Sequence, residues 1–96
     1  MTRAALLLLL PLIIATAEPA AGELRYYALP DGTGPHDVAP APDGKVWYTG
    51  QANGVLGRLD PASGAVEQVP LGEASAPHGV IIGPDGAAWL TDADRC

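Results

Sequence analysis

Pro35–Thr49, PHDVAPAPDGKVWYT, recurs as Pro77–Thr91, PHGVIIGPDGAAWLT. The two stretches lie at the centre of a longer ungapped repeat. Residues 23–54 align with residues 65–96 at a shift of 42. Nine positions are identical: Leu29/Leu71, Pro35/Pro77, His36/His78, Val38/Val80, Pro42/Pro84, Asp43/Asp85, Gly44/Gly86, Trp47/Trp89 and Thr49/Thr91. Eight of the nine fall within the quoted stretch, so one compact structural unit is used twice. A period of about 40–45 residues built from short strands is that of β-propeller blades.

One unit can be read strand by strand. Asp37 to Ala41 is a short apolar run, and Pro42-Asp43-Gly44 is a turn in which glycine can take positive φ. Val46 to Thr49 is rich in β-branched and aromatic residues and reads as a second strand. GQANG, Gly50 to Gly54, is a loop, and Val55 to Asp60 a third strand. Asp60-Pro61-Ala62-Ser63-Gly64 predicts a tight hairpin into a fourth strand, Ala65 to Val69. The next unit supplies two further strands, Val80 to Gly83 and Ala88 to Thr91. Ahead of the repeat, Leu24 to Leu29 aligns with the fourth strand and is expected to be the outer strand of a closing blade. Trp47 and Trp89 repeat in register and are expected to pack between blades. The fold expected is all-β: about two propeller blades of four-stranded antiparallel sheet. Residues 23–34 form the outer strand and link, 35–76 the first full blade and 77–96 the start of the next.

The N-terminus reads differently. Arg3 precedes Ala4 to Ala15, AALLLLLPLIIA, and Ala15-Thr16-Ala17 follows as a small-x-small triplet. That order is a secretory signal peptide spanning residues 1–17, with a site near Ala21 as the alternative. The apolar run is shorter than the ~20 residues of a transmembrane helix. Secretion or export to the periplasm is therefore expected, with no membrane association after cleavage. Beyond residue 17 the chain keeps Arg25, Lys45, Arg58 and Arg95 against eleven acidic residues. Such a surface repels phosphate backbones, which excludes a nucleic-acid partner.

Blades bury their faces against neighbours, so a few repeats are needed for a stable stack. The 96 residues are accordingly expected to be part of a longer propeller and marginally stable alone.

The stretch Gly34 to Pro61, GPHDVAPAPDGKVWYTGQANGVLGRLDP, with Ala76 to Thr91, APHGVIIGPDGAAWLT, resembles the N-terminal blades of virginiamycin B lyase-like proteins. The P-H-[DG]-V, P-D-G-x-x-W and G-x-L-G-R-L-D-P elements carry the likeness. The resemblance implies a seven-bladed, monomeric parent. It also implies opening of a cyclic depsipeptide ester by elimination, assisted by Mg²⁺. The family's metal ligands and catalytic His/Glu residues lie in later blades and have no counterparts here. No catalytic residue or metal ligand is therefore assigned, and residues 1–96 alone are expected to lack lyase activity.

Three residues remain as candidates for contact with a small-molecule cyclic ester. His36 and His78 precede the first strand of each unit, which in a propeller lines the central channel. There an imidazole can serve as general base, metal ligand or hydrogen-bond donor to a ligand; capping of the interblade turn is the alternative role. Asp37 differs from its repeat mate Gly79, so its carboxylate can face a ligand or stabilise a turn. Asp43 and Asp85 belong to hairpins. Asp31, Asp60, Asp92 and Asp94 lack the ligand count of a calcium loop. Cys96 has no histidine partner at a recognisable spacing, and no zinc-type Cys/His cluster or phosphate-binding glycine pattern occurs. Two other readings of the parent are a non-enzymatic propeller that binds a partner, and a propeller lactonase or hydrolase of the gluconolactonase type.

Overall fold

The computed structural model describes residues 22–94. The segment expected to be a signal peptide, residues 1–17, and Cys96 lie outside the described residues. The strands are β1 (Pro35–Pro40), β2 (Val46–Gly50), β3 (Val55–Leu59), β4 (Val66–Pro70), β5 (Pro77–Ile82) and β6 (Ala88–Asp92). They form an antiparallel four-stranded sheet in the order β1-β2-β3-β4 and a two-stranded sheet, β5-β6. The first sheet is one complete up-and-down blade, and the second is the inner half of another.

The two β-hairpins that open the units are built identically. Ala41 donates its N–H to the Lys45 carbonyl at 2.8 Å, and Gly83 donates to Ala87 at 2.8 Å. In each turn the Asp side chain accepts the N–H two residues on, Lys45 to Asp43 Oδ1 at 3.0 Å and Ala87 to Asp85 Oδ1 at 3.1 Å. Gly44 and Gly86 sit at φ 83° and 81°, a conformation costly for any residue with a Cβ. The Asp60–Gly64 hairpin follows the expected chemistry too. Asp60 Oδ1 accepts from the Ala62 N–H at 2.9 Å, and Gly64 turns back at φ 75°.

Within the first blade one row of residues runs across all four strands. Val38 faces Tyr48, Tyr48 faces Gly57 and Gly57 faces Gln68. The Tyr48 ring, only 2% exposed, lies on the bare backbone of Gly57. Its hydroxyl accepts from Gln68 Nε2 at 2.9 Å, and the same nitrogen donates to Thr33 Oγ1 at 3.1 Å. Thr33 in turn donates to the Pro30 carbonyl at 2.6 Å. This chain of bonds fastens β4 to the segment leading into β1 and leaves no buried side-chain polar atom unpaired among the described residues.

The two sheets meet where β5 packs on β1 and β2. The apolar core is small: Ala39, Tyr48, Val55 and Val80, together with the fully buried Pro77. Three features differ from the sequence reading. First, β1 and β5 begin at Pro35 and Pro77, ahead of the expected starts at Asp37 and Val80, because pairing resumes on both sides of a bulge. Second, each tryptophan has a neighbour in its own sheet that the sequence reading did not name. Arg58 lies over the Trp47 ring, 5.5 Å from its centroid, and the Trp89 indole covers Gly83 while remaining 60% exposed. Register gives these contacts: Trp47 faces Arg58 directly across β2–β3, and Trp89 faces Ile81 across β5–β6. Third, Leu24 to Leu29 joins no ladder among the described residues. Tyr27 instead donates its hydroxyl to the Pro61 carbonyl at 3.0 Å. The strands of a closing blade that this segment was expected to join are not among the described residues.

Candidate functional site at the blade junction

The site is built on a bulge that occurs twice. Pro35 pairs with Gly50 and Val38 with Tyr48, so His36 and Asp37 together oppose the single residue Thr49. Pro77 pairs with Asp92 and Val80 with Leu90, so His78 and Gly79 oppose Thr91. An extra residue breaks the ladder and redirects side chains. The threonine hydroxyl replaces the lost ladder acceptor. Thr49 Oγ1 accepts the Asp37 N–H at 3.0 Å, and Thr91 Oγ1 accepts the Gly79 N–H at 2.9 Å. The P-H-x-V…T spacing is thus the sequence form of a bulge with a threonine plug.

The same groups join the blades. Thr49, fully buried, donates its hydroxyl to the His78 carbonyl at 2.9 Å. Asp37 Oδ2 accepts the Val80 N–H at 2.9 Å. His78 and its bulge are therefore gripped from both sides by the first blade. The result brings all three sequence-derived candidates together. The His36 and His78 rings stack across the junction, centroids 3.8 Å apart and planes tilted by 38°, and both side chains are exposed. Asp37 lies beside the pair with one carboxylate oxygen committed to the Val80 amide. A Cβ at position 79 would stand 3.3 Å from Thr91 Oγ1 and 3.8 Å from Asp37 Oδ2, so a second carboxylate there would meet the charge of the first.

The Val80 N–H is the main reason the Asp37 carboxyl is held below the ordinary aspartate range. The Val38 N–H adds to this, and partial burial opposes it. The two imidazoles contribute a smaller electrostatic lowering. A depressed folded-state value means that the unfolded chain binds the proton first as pH falls. The contribution of Asp37 to the junction is therefore present above the ordinary value of about 3.9 and lost as pH falls through the lower folded one. Asp37→Asn is expected to remove this acid-range dependence. Exchange rates of the Val80 amide between pH 6 and pH 3 measure it: protection should decline with acid in the parent chain and show no matching decline in the variant.

Beside the carboxylate an open, mainly apolar hollow of about 330 Å³ is lined by Asp37 with Val80, Ile81, Trp89 and Leu90 of the β5–β6 hairpin. The hollow borders Asp37 and leaves Trp89 partly open at its side, while the imidazoles lie outside its lining. Among the described residues no group of three or more His, Cys, Asp or Glu side chains is arranged to hold a metal ion. Mg²⁺ demands an octahedral set of oxygens. One carboxylate already bonded to an amide, flanked by two imidazoles, does not match that demand, so no step is routed through Mg²⁺ here.

Sequence reading missed Thr49 and Thr91. Their identity was visible in the repeat, but their role depends on a bulge and on a neighbouring blade. Asp92 was missed as well. Its carboxylate closes the end of the second sheet, accepting from Ser75 Oγ and from the Ala76 N–H at 3.0 Å.

Comparisons with known proteins agree with this architecture. A family model described as strictosidine synthase-like, N-terminal, matches residues 22–59. No curated protein sequence matches the chain. Among solved structures, virginiamycin B lyase from Staphylococcus aureus matches with 31% identity and a TM-score of 0.70, over 76% of this chain and 25% of that one. A catalytically inactive variant of the Staphylococcus aureus enzyme with quinupristin matches with 29% identity and a TM-score of 0.71, over 79% of this chain and 26% of its own. A streptogramin B lyase matches with 28% identity and a TM-score of 0.64, over 69% and 22% respectively. The chain spans about a quarter of the length of these lyases. Its repeat, its blade topology and these likenesses place it with the β-propellers of the virginiamycin B lyase family, as a segment of such a propeller.

Proposed function

We propose that the chain is part of an exported lyase-like propeller that takes a small cyclic ester of the streptogramin B type at its central channel. The observation that carries this reading is the apposition of His36 and His78, from equivalent bulges of adjacent blades, on an exposed face. Two imidazoles held together there offer hydrogen-bond donors and acceptors to an ester and its ring amides. Asp37 acts as a positioning residue by holding the His78 bulge through the Val80 amide. The likeness to a lyase structure with quinupristin supports the choice of ligand.

Opening such a ring by elimination needs three coordinated changes. A base removes a proton from the carbon next to the one bearing the ester oxygen. The freed electron pair forms a carbon–carbon double bond, and the carbon–oxygen bond breaks with its electrons on the departing carboxylate. The residues described here bind and orient the ligand. The proton-transferring groups belong to later blades, as the family resemblance implies.

Quinupristin titrated into the ¹⁵N-labelled chain tests the reading. The expected result is a perturbation of the His36, His78 and Val80 signals, weakened by His36→Gln or His78→Gln, with no ring-opened product even when Mg²⁺ is present. Signals unmoved at millimolar ligand would overturn the assignment of the site. Ring opening by the purified chain would overturn the expectation that residues 1–96 are inactive.

A further inference from the structure

We infer that the stacked histidines form a two-imidazole site for a borderline d-block cation such as Zn²⁺, one ligand coming from each blade. Zn–N bonds of about 2.0–2.1 Å in a tetrahedral site hold two nitrogens roughly 3.3–3.4 Å apart. The His36 and His78 centroids stand 3.8 Å apart, and a tilt of 38° brings one pair of ring edges closer than the other. Both side chains are exposed. Rotation about χ2 can therefore present a nitrogen from each ring at the near edge, with solvent completing the coordination. The backbones beneath do not have to move, because the His78 carbonyl is fixed by Thr49 and the Val80 amide by Asp37.

The chemistry selects the ion. Neutral imidazole suits Zn²⁺, Ni²⁺ and Cu²⁺, whereas Mg²⁺ prefers oxygen. The Asp37 carboxylate, charged at neutral pH and felt by both rings, adds a favourable field without leaving the Val80 amide. Because the two ligands sit on different blades, a cation bound to both favours the docked arrangement over the undocked one. The inference uses the same exposed cleft as the ligand-binding reading, and it rests on the geometry of the ring pair.

Equilibrium dialysis with Zn²⁺ alone, on the tag-free chain carrying Cys96→Ser, tests it. The expected result is one Zn²⁺ per chain at pH 7.5. His36→Gln and His78→Gln should each weaken binding at least about tenfold, which corresponds to about 1.4 kcal/mol. Mg²⁺ at the same concentration should not compete. Zinc should also slow exchange of the Val80 amide, a readout of junction docking that adventitious surface binding leaves unchanged. No stoichiometric binding, or binding retained in both histidine variants, would overturn the inference. No organic ligand is present, so such a failure leaves the quinupristin result standing, and the reverse also holds.

Discussion

Gly57→Ala is expected to abolish the folded first blade. A Cβ on Gly57 falls far inside van der Waals contact with Cζ, Cε1 and Cε2 of Tyr48. The ring has nowhere to retreat within the sheet, since it is buried and its hydroxyl is tied to Gln68. Relief requires Tyr48 to swing out. That forfeits about 1.5–3 kcal/mol of apolar burial and about 1 kcal/mol for the hydrogen bond left unmade at Gln68. A loss of about 2.5–4 kcal/mol is a large share of what a chain of this length holds. Alanine is otherwise a better strand residue than glycine, so the backbone alone predicts the opposite sign. A compensating pair separates the two causes. In a Tyr48→Leu background, which copies Leu90 of the second unit, Gly57→Ala should cost less than about 1 kcal/mol, because no ring remains to collide with. Thermal unfolding of the four chains gives the answer. Equal costs in both backgrounds would show that the Tyr48–Gly57 contact does not govern the blade.

The fold was legible because local chemistry and periodicity agree in this sequence. Each Pro-Asp-Gly announces a hairpin with its own Asx bond, and the hairpins recur 42 residues apart. Strand positions follow to within a few residues. What could not be read depends on contacts between strands or blades. The bulge is invisible to a period-2 pattern, since His36, Asp37 and Val38 simply look like the start of a strand. The row Val38–Tyr48–Gly57–Gln68 requires register across three strand pairs. The contact of Arg58 with the Trp47 ring likewise requires the β2–β3 register.

The candidate site divides in the same manner. Repetition put His36 and His78 at equivalent places on two blades. Their proximity follows from geometry, because inner strands of neighbouring blades lie side by side at the junction. The asymmetry between Asp37 and Gly79 was legible as a difference. Its meaning was not, because the Asp37 partner is the backbone of Val80, in the next blade.

Thr49→Val should release the second sheet from the first while leaving the first blade intact. Valine keeps the shape of threonine, and only the hydroxyl is lost. The Asp37 N–H and the His78 carbonyl would then both lack their partner inside the junction. Each unsatisfied buried group costs about 1–3 kcal/mol, so a combined loss of about 3 kcal/mol is expected. Thr49→Ser retains both bonds and removes one methyl, at a cost of about 1 kcal/mol. The loss is local because the β5–β6 sheet meets the first blade through few buried groups, chiefly Val80, Pro77 and the Thr49–Asp37 clasp. Amide exchange should therefore accelerate across β5 and β6 in Thr49→Val and stay slow in β2 and β3. Contact between the His36 and His78 rings, read from nuclear Overhauser effects, should vanish in parallel. Asp37→Asn combined with Thr49→Val should cost less than the two changes separately, since both act on one docking step. If exchange instead quickens uniformly, the blades unfold as one unit and the threonine supports the whole chain. If it quickens only in the second sheet, the hydroxyl sets the spacing of the two imidazoles, and with it any chemistry that needs both.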